Sequence, residues 1–486
     1  MTVENSPLSV RDAASFRDPS GYVFKRQGRV FRAIDEDCTQ IVRELAASGL
    51  LKRLADARLI VETHFVDEPA LQSVLEAEHP PYRNFLEHEP IAPITYPHEW
   101  PISALAEAGL HTLELQTELL QAGYSLKDAT AYNIQFVDNR PVFLDIPSIE
   151  RPERLDVWTA LGQFGQMFTF PLMLYHDRGW DFRSYFLGNL GGRDVEQVAR
   201  GLGWLERWRP RYLFDVTLPA ILTRRATRRG SDAPATLKKK PAANPASLLF
   251  ILSRLRRKIE RLLAQYKPSS NWADYTETCS YNSEADAAKR LLVAEYLDDI
   301  RPSQLLDAGC NTGEYSYIAA QRGTRVLAAD SDHDAVELLR QRLKREPASI
   351  MPLVIDLCHP SPGIGYRNRE RPGILDRLDV DCVLALALIH HLHVSGNLPL
   401  TAIRDLFHDV TQSHLILEFV PRDDVMFRQL TSFRRDLYAG YTLDACRSAF
   451  SETFEVLRED AIAGSPRTLL LLRAKNHPSR PVREDE

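Results

Sequence analysis

Over the first third of the chain, apolar positions alternate between a two-residue and a helical period. GYVFKRQGRVFRAID (21–35) sets β-rich runs on either side of RQGR, which predicts a hairpin. Helical spacing predicts a helix at about 37–55, and Leu59–Phe65 reads as a strand. Leu105, Leu110, Leu113, Leu119 and Leu120 then share one helical face over 103–122, and Gly123 ends it. A loop leads into two short strands, Asn133–Val137 and Val142–Leu144, around the turn DNRP, with Asp145 at the exit.

The pattern breaks in the middle of the chain. RRATRRGSDAPATLKKKPAANPAS mixes Pro, Ala, Ser and Lys as linkers do. Ala246–Gln265 follows with Leu248, Leu252, Leu255, Ile259 and Leu262 at helical spacing, and with Arg256, Arg257 and Lys258 among them. This break divides the chain into an N-terminal domain (1–220), a basic linker and amphipathic helix (221–270), a C-terminal domain (271–476) and a polar tail (477–486), expected to be disordered.

After the break the order is that of an α/β domain. Gln304–Leu306 is a short apolar strand, and a turn holding Gly309 and Gly313 follows it. A helix runs to about Arg322, and a second strand, Arg325–Ala329, ends at Asp330. Glycines after a strand let the backbone approach a ligand, and the next helix offers free N–H groups. An acid ending the second strand can accept hydrogen bonds from two ribose hydroxyls.

Composition narrows the class. The 486 residues are 44% apolar and 26% charged, an ordinary soluble balance. The net charge of −6 argues against bulk nucleic-acid binding, and no specific nucleic-acid partner is expected. Thirteen Lys and Arg residues nevertheless fall between Arg224 and Lys267, against only Asp232 and Glu260. A basic amphipathic helix at 246–266 can meet an acidic membrane surface, although packing its apolar stripe on a domain is the favoured reading. The six cysteines lie singly with no CxxC, so reduced thiols and a cytoplasmic location are expected, and no metal site. The polar N-terminus shows no signal peptide, and no apolar run is long enough to span a bilayer.

The details of the glycine turn add a resemblance. Asp307-Ala-Gly-Cys-Asn-Thr-Gly313 resembles the first motif of class I S-adenosylmethionine-dependent methyltransferases, with Asn311 where a glycine is usual. Asn enters the left-handed region more readily than most residues, so the substitution is tolerable. The resemblance continues in order through Met351–Leu357, Asp381–Leu392, Ser413–Pro421, FEVLRED and RTLLLLRAK. It implies a Rossmann-like class I methyltransferase domain with a seven-stranded sheet. It also implies S-adenosyl-L-methionine as cofactor, held by Asp307, Gly309, Asn311, Gly313, Asp330, Asp356 and Leu357, with Asp356 near the adenine. In similar small-molecule methyltransferases a histidine stands at the end of the fourth strand, where this chain has Ile389-His390-His391-Leu392-His393. His390 and His391 are therefore candidate catalytic bases for a hydroxyl acceptor. Glu418, Asp423 and Asp424 are candidate walls of the acceptor pocket, and Tyr281 is a candidate cofactor contact.

The N-terminal domain carries a second constellation. Asp128, Asn133 and Asp145 match the spacing at which kinase-type folds keep their catalytic Asp and two metal-binding groups. The rest of that signature fails. There is no Gly-rich loop in the first hairpin, no His two positions before Asp128, and Ile-Pro-Ser follows Asp145 instead of Phe-Gly. No VAIK-like lysine is present, although Lys25 or Arg32 could substitute. An α+β kinase-like domain kept for binding or architecture is expected here, ahead of active phosphotransfer.

DPSGYVFKRQGRVFRAI, LKDATAYNIQF and RPVFLDIPSIE, followed by the methyltransferase motif, resemble the NoeA-like nodulation (host-specificity) proteins. That resemblance implies a methyltransferase. The expected reaction is O-methylation of a small molecule, glycan or lipid-linked saccharide. The alternatives are a bifunctional kinase–methyltransferase and a scaffold with a vestigial cofactor pocket.

Overall fold

The computed structural model describes residues 9–228, 245–269, 283–432 and 435–475. The chain forms two compact units. The first comprises Met1–Tyr266 together with Gly363–Arg371, and the second comprises Lys267–Pro362 and Pro372–Glu486. Tyr281 and the tail lie outside the described residues.

The first unit opens with a five-stranded antiparallel sheet. Its strands are β1 (Val10–Arg11), β2 (Gly21–Arg26), β3 (Arg29–Ile34), β4 (Thr63–Phe65) and β5 (Asn84–His88), in the order β1-β2-β3-β5-β4. One face buries Phe24, Phe31, Ala33, Leu75 and Phe85, with Phe24 stacked on Phe31. Between β3 and β4 the expected helix at 37–55 is two helices, Glu36–Ala47 and Leu50–Asp56. Gly49, in the left-handed region at φ 73°, divides them. The expected strand at Leu59–Phe65 shrinks to β4, because Ile60 turns aside to bridge Phe143 in parallel.

Helix Ile102–Gln121 then leads into β6 (Ser125–Leu126), β7 (Ile134–Val137), β8 (Arg140–Phe143) and β9 (Ile149–Glu150). β6 pairs with β9, and β7 with β8. Helix Ala246–Gln265 belongs to this unit as well. Its stripe of Leu248, Leu252, Leu255, Ile259 and Leu262 is buried, and the helix packs along Ile102–Gln121.

Two histidines of this unit are buried as neutral rings. His88 Nδ1 lies 2.9 Å from Thr63 Oγ1, and His111 Nε2 lies 2.8 Å from the Leu59 carbonyl oxygen. Burial pushes His88 down to about 3 and His111 to about 4. The unfolded chain therefore takes up protons below about pH 6.5 that the folded unit does not. Full stability is expected above that pH, with a loss of about 1.4 kcal/mol per pH unit per histidine on acidification. Urea unfolding of this unit's transition between about pH 7 and pH 5 checks it; a pH-independent midpoint refutes it.

The second unit is a seven-stranded sheet. Its strands are β10 (Gln304–Ala308), β11 (Arg325–Asp330), β12 (Ile350–Val354), β13 (Val380–Ala385), β14 (Thr411–Phe419), β15 (Phe454–Ala461) and β16 (Thr468–Ala474). The order is β12-β11-β10-β13-β14-β16-β15. The first five run parallel, and β16 enters antiparallel between β14 and β15. Buried strands of Val, Leu, Ile and Ala are what a parallel sheet covered by helices requires. The run Asp381–Leu392, expected as one strand, is β13 followed by helix Ile389–Val394. Continuous apolar sequence does not separate a buried strand from the helix after it.

Candidate functional site

The register places four residues level at the carboxyl edge of the large sheet. Ala308 aligns with Ala329 and Ala385, and Ala385 with Leu417. One residue further along each strand stand Gly309, Asp330, Leu386 and Glu418. This edge is where open α/β sheets bind ligands.

The turn after β10 takes left-handed backbone at Gly309 (φ 77°), Asn311 (φ 49°) and Gly313 (φ 83°). A Cβ on Gly309 would meet Leu388 Cδ1 at 3.2 Å, and one on Gly313 would collide with Leu339 Cδ1. The chain thus lies close against its neighbours and leaves helix Glu314–Ala320 with its N-terminus at the turn. Replacing Gly313 by Ala is expected to lower the stability of this unit by about 1–3 kcal/mol, from strain at positive φ. A shift of the unfolding midpoint checks this; an unchanged midpoint counts against the described turn.

Asp330 holds the turn together from β11. Its Oδ2 accepts the Asn311 N–H (2.9 Å), and its Oδ1 accepts the Asp332 N–H (2.9 Å). Each oxygen keeps a lone pair, so the carboxylate can accept two further hydrogen bonds from a diol. Asp307 is buried beneath, accepting the Ser316 hydroxyl at 2.5 Å, and burial pushes its carboxyl up to about 6. Asp356 lies two residues beyond β12, where its Oδ1 accepts the Cys358 N–H (2.9 Å) and its Oδ2 pairs with His359 (3.0 Å). Leu357 beside it is buried.

His390 and His391 sit on helix Ile389–Val394, with ring centroids 4.2 Å apart. His390 is 1% exposed, and its Nδ1 makes no hydrogen bond among the described residues. Burial, followed by the neighbouring His391 and Arg467, drives His390 far below its usual range, while Glu418 opposes this. His391 is lowered by burial and by Arg467. Both rings are therefore neutral near pH 7, and His391, the less buried and less strongly shifted of the two, resists a proton less than His390 does.

Glu418 and Asp424 do not form an open acidic wall. Glu418 forms an ion pair with Lys289 Nζ (2.7 Å) and accepts from Arg467 (3.2 Å), and Asp424 accepts from Arg467 Nε (2.8 Å). All four side chains are buried. The sequence reading did not single out Lys289 or Arg467. A signal for Lys289 exists: it shares a helical face with Ala285, Val293 and Tyr296, all buried, and a lysine on such a face needs a partner.

In the first unit the structure brings Asp128, Asn133 and Asp145 to one place. Asn133 Nδ2 donates to Asp145 Oδ2 (3.2 Å), while Arg32 from β3 donates to Asp145 Oδ1 (2.6 Å) and to Asp18 (3.2 Å). Asp128 is raised by burial and by Asp145. Ser148 and Gln163 fix its loop, through bonds to the Asp128 N–H (3.2 Å) and the Ala129 N–H (2.6 Å).

No family model matches the chain. It is 32% identical over 471 residues to Nodulation protein NoeA of Rhizobium meliloti (strain 1021), across 96% of this chain and 97% of that protein. Among solved structures it is similar to the N-methyltransferase NodS from Bradyrhizobium japonicum WM9, at 13% identity and a TM-score of 0.31, over 40% of this chain and 99% of that one. It is also similar to the bifunctional kinase-methyltransferase WbdD, at 16% identity and a TM-score of 0.30, over 45% of this chain and 46% of that one. Likenesses at those scores carry no argument. The full-length relationship does, and by it the chain belongs to the NoeA family of nodulation proteins.

Proposed function

We propose that the second unit is an S-adenosylmethionine-dependent methyltransferase acting on an oxygen of a small molecule, glycan or lipid-linked saccharide. The observation that carries this is the level row of Asp330, Gly309, Leu386 and Glu418, with a left-handed turn leaving it at Gly309 and the neutral histidines on the helix that follows Leu386. The residues present fit the cofactor. Asp330 offers two oxygens to a ribose diol, and the tight turn at Gly309–Gly313 admits backbone close to a ligand. Asp307 anchors that turn from below through Ser316.

When bound, S-adenosylmethionine supplies an electrophilic methyl group on a sulfonium centre. The chain's own part is to orient the acceptor in line and to take its proton. His391, the partly exposed ring of the pair, takes the hydroxyl proton, and the buried His390 packs against it. Burial first, and then His391 and Arg467, keep His390 neutral, while Glu418 opposes them.

The first unit is kinase-like in this reading. Supporting it are the two helices between β3 and β4, the β6–β9 and β7–β8 pairs, and the placement of Asp128, Asn133 and Asp145. Its role in this reading is binding or architecture, because the chain lacks the Gly-rich loop of phosphotransfer folds and Arg32 already places a cation against Asp145.

The test uses the full chain with methyl-labelled cofactor and fractionated cell extract. Transfer of label to an extractable small molecule or saccharide, lost in His391→Ala, supports the reading; no transfer to any fraction overturns it. ATP turnover that vanishes in Asp145→Ala would overturn the non-phosphotransfer role of the first unit.

A further inference from the structure

The first unit exposes a run of large apolar side chains in residues 204–222. Trp204 and Leu205 are 72% and 75% exposed, and Trp208 follows them one turn later. The helical run that begins at Leu213 then shows Phe214, Leu218 and Leu222 at intervals of four, on one face, while Val216 and Ala220 on the other face are buried. Phe214 and Leu222 are 61% and 63% exposed. Helix Ala246–Gln265 extends this surface. Lys258 Nζ bonds the Arg211 carbonyl, and Arg254 pairs with Asp215, so the two helices run antiparallel. Phe250, one turn before Arg254 and 64% exposed, thus falls alongside Leu218 and Leu222.

The charge around this surface is one-sided. Three nearby acids are held: Glu206 by Arg178, Asp215 by Arg254 and Lys258, and Glu196 by Arg200 and Arg224. Arg209 and Arg225 are exposed and make no ion pair among the described residues. An apolar face of this kind marks an interaction site. Tryptophan beside arginine that has no ion pair among the described residues suits the interface of a bilayer with anionic headgroups, where the rings bury and the guanidiniums meet phosphate.

We propose that this surface docks the protein on an anionic lipid bilayer. Phe214, Leu218, Leu222 and Phe250 enter the headgroup boundary together with Trp204 and Leu205, and Arg209 and Arg225 pair with lipid phosphates. The apolar stripe of helix Ala246–Gln265 stays in the core of the unit and takes no part; that helix contributes Phe250 alone.

Flotation of the full chain with vesicles tests this, using phosphatidylcholine alone and phosphatidylcholine mixed with phosphatidylglycerol. The wild type is expected to float with the anionic vesicles and to be released by salt. Arg209→Gln with Arg225→Gln should weaken partitioning about 30-fold, from about 1 kcal/mol for each cation near the surface. A Trp204→Ser, Leu205→Ser and Phe214→Ser variant should weaken it by at least about tenfold, with an unchanged thermal melt showing that it folds. Failure to float with anionic vesicles overturns the proposal, as does equal flotation of the triple variant. A wild type that self-associates in solution, with the triple variant monomeric, also overturns it by assigning the surface to a second copy.

Discussion

Replacing Asp330 by Ala will weaken binding of S-adenosylhomocysteine by about 30- to 1000-fold in isothermal titration. The estimate comes from the hydrogen bonds at stake. A carboxylate bonding two ribose hydroxyls makes two charge-assisted interactions, each worth about 1.5–3 kcal/mol at full strength and together about 2–4 kcal/mol after partial compensation by water. The same substitution also strips the acceptors from the Asn311 and Asp332 N–H groups, which loosens the turn. Asp330→Asn separates the two effects, since its amide oxygen can still accept one backbone N–H. Binding should fall in both variants, and the stability of the unit should fall mainly in Asp330→Ala. Wild-type affinity in Asp330→Ala would refute cofactor binding at this edge.

The largest effect on stability is expected from Arg467→Met. Arg467 holds Glu418 and Asp424 inside the second unit, where neither carboxylate reaches solvent. Removing one partner of a buried ionic network leaves charge without compensation, at about 3–5 kcal/mol. For a unit of this size that lowers the melting temperature by roughly 10 °C. Substituting Asp424 by Leu in the same chain should restore much of the loss, because an apolar replacement for a buried pair is often near neutral. Thermal unfolding of the wild type, both single variants and the double variant gives the coupling directly. Additive losses would mean that Arg467 and Asp424 do not act as a pair.

The same cluster marks where sequence reading stops. The turn Asp307–Gly313 was legible because its requirement is local: a strand must end, the backbone must turn left-handed, and glycine or asparagine supplies that. Asp330 was legible because the sheet repeats strand and helix at regular intervals. Lys289, Glu418, Asp424 and Arg467 come from four separate elements, and nothing within a few residues of any one of them names its partner. Arg32 and Asp145 stand 113 positions apart and meet only once β3 and the turn after β8 are in place. The sequence expectation sets Arg32 beside Lys25 as a substitute for a phosphotransferase lysine, and what the structure shows is its pairing with Asp145. The misreading at Asp381–Leu392 has a different origin: two elements that are both apolar leave no change of period at their junction.

The division of the chain into units has a consequence for the order in which the protein can be made. Gly363–Arg371 belongs to the first unit, although it is encoded between β12 and β13 of the second. Glu370 binds Arg17 with a 3.0 Å contact, Tyr366 packs on Phe16 with centroids 5.5 Å apart, and Arg371 lies 5.0 Å over the Tyr132 ring, next to Asn133. A nascent chain that has left the ribosome as far as Tyr266 therefore has everything its first sheet needs, yet lacks this last piece. The first unit is begun first and finished only after three strands of the second have been synthesised.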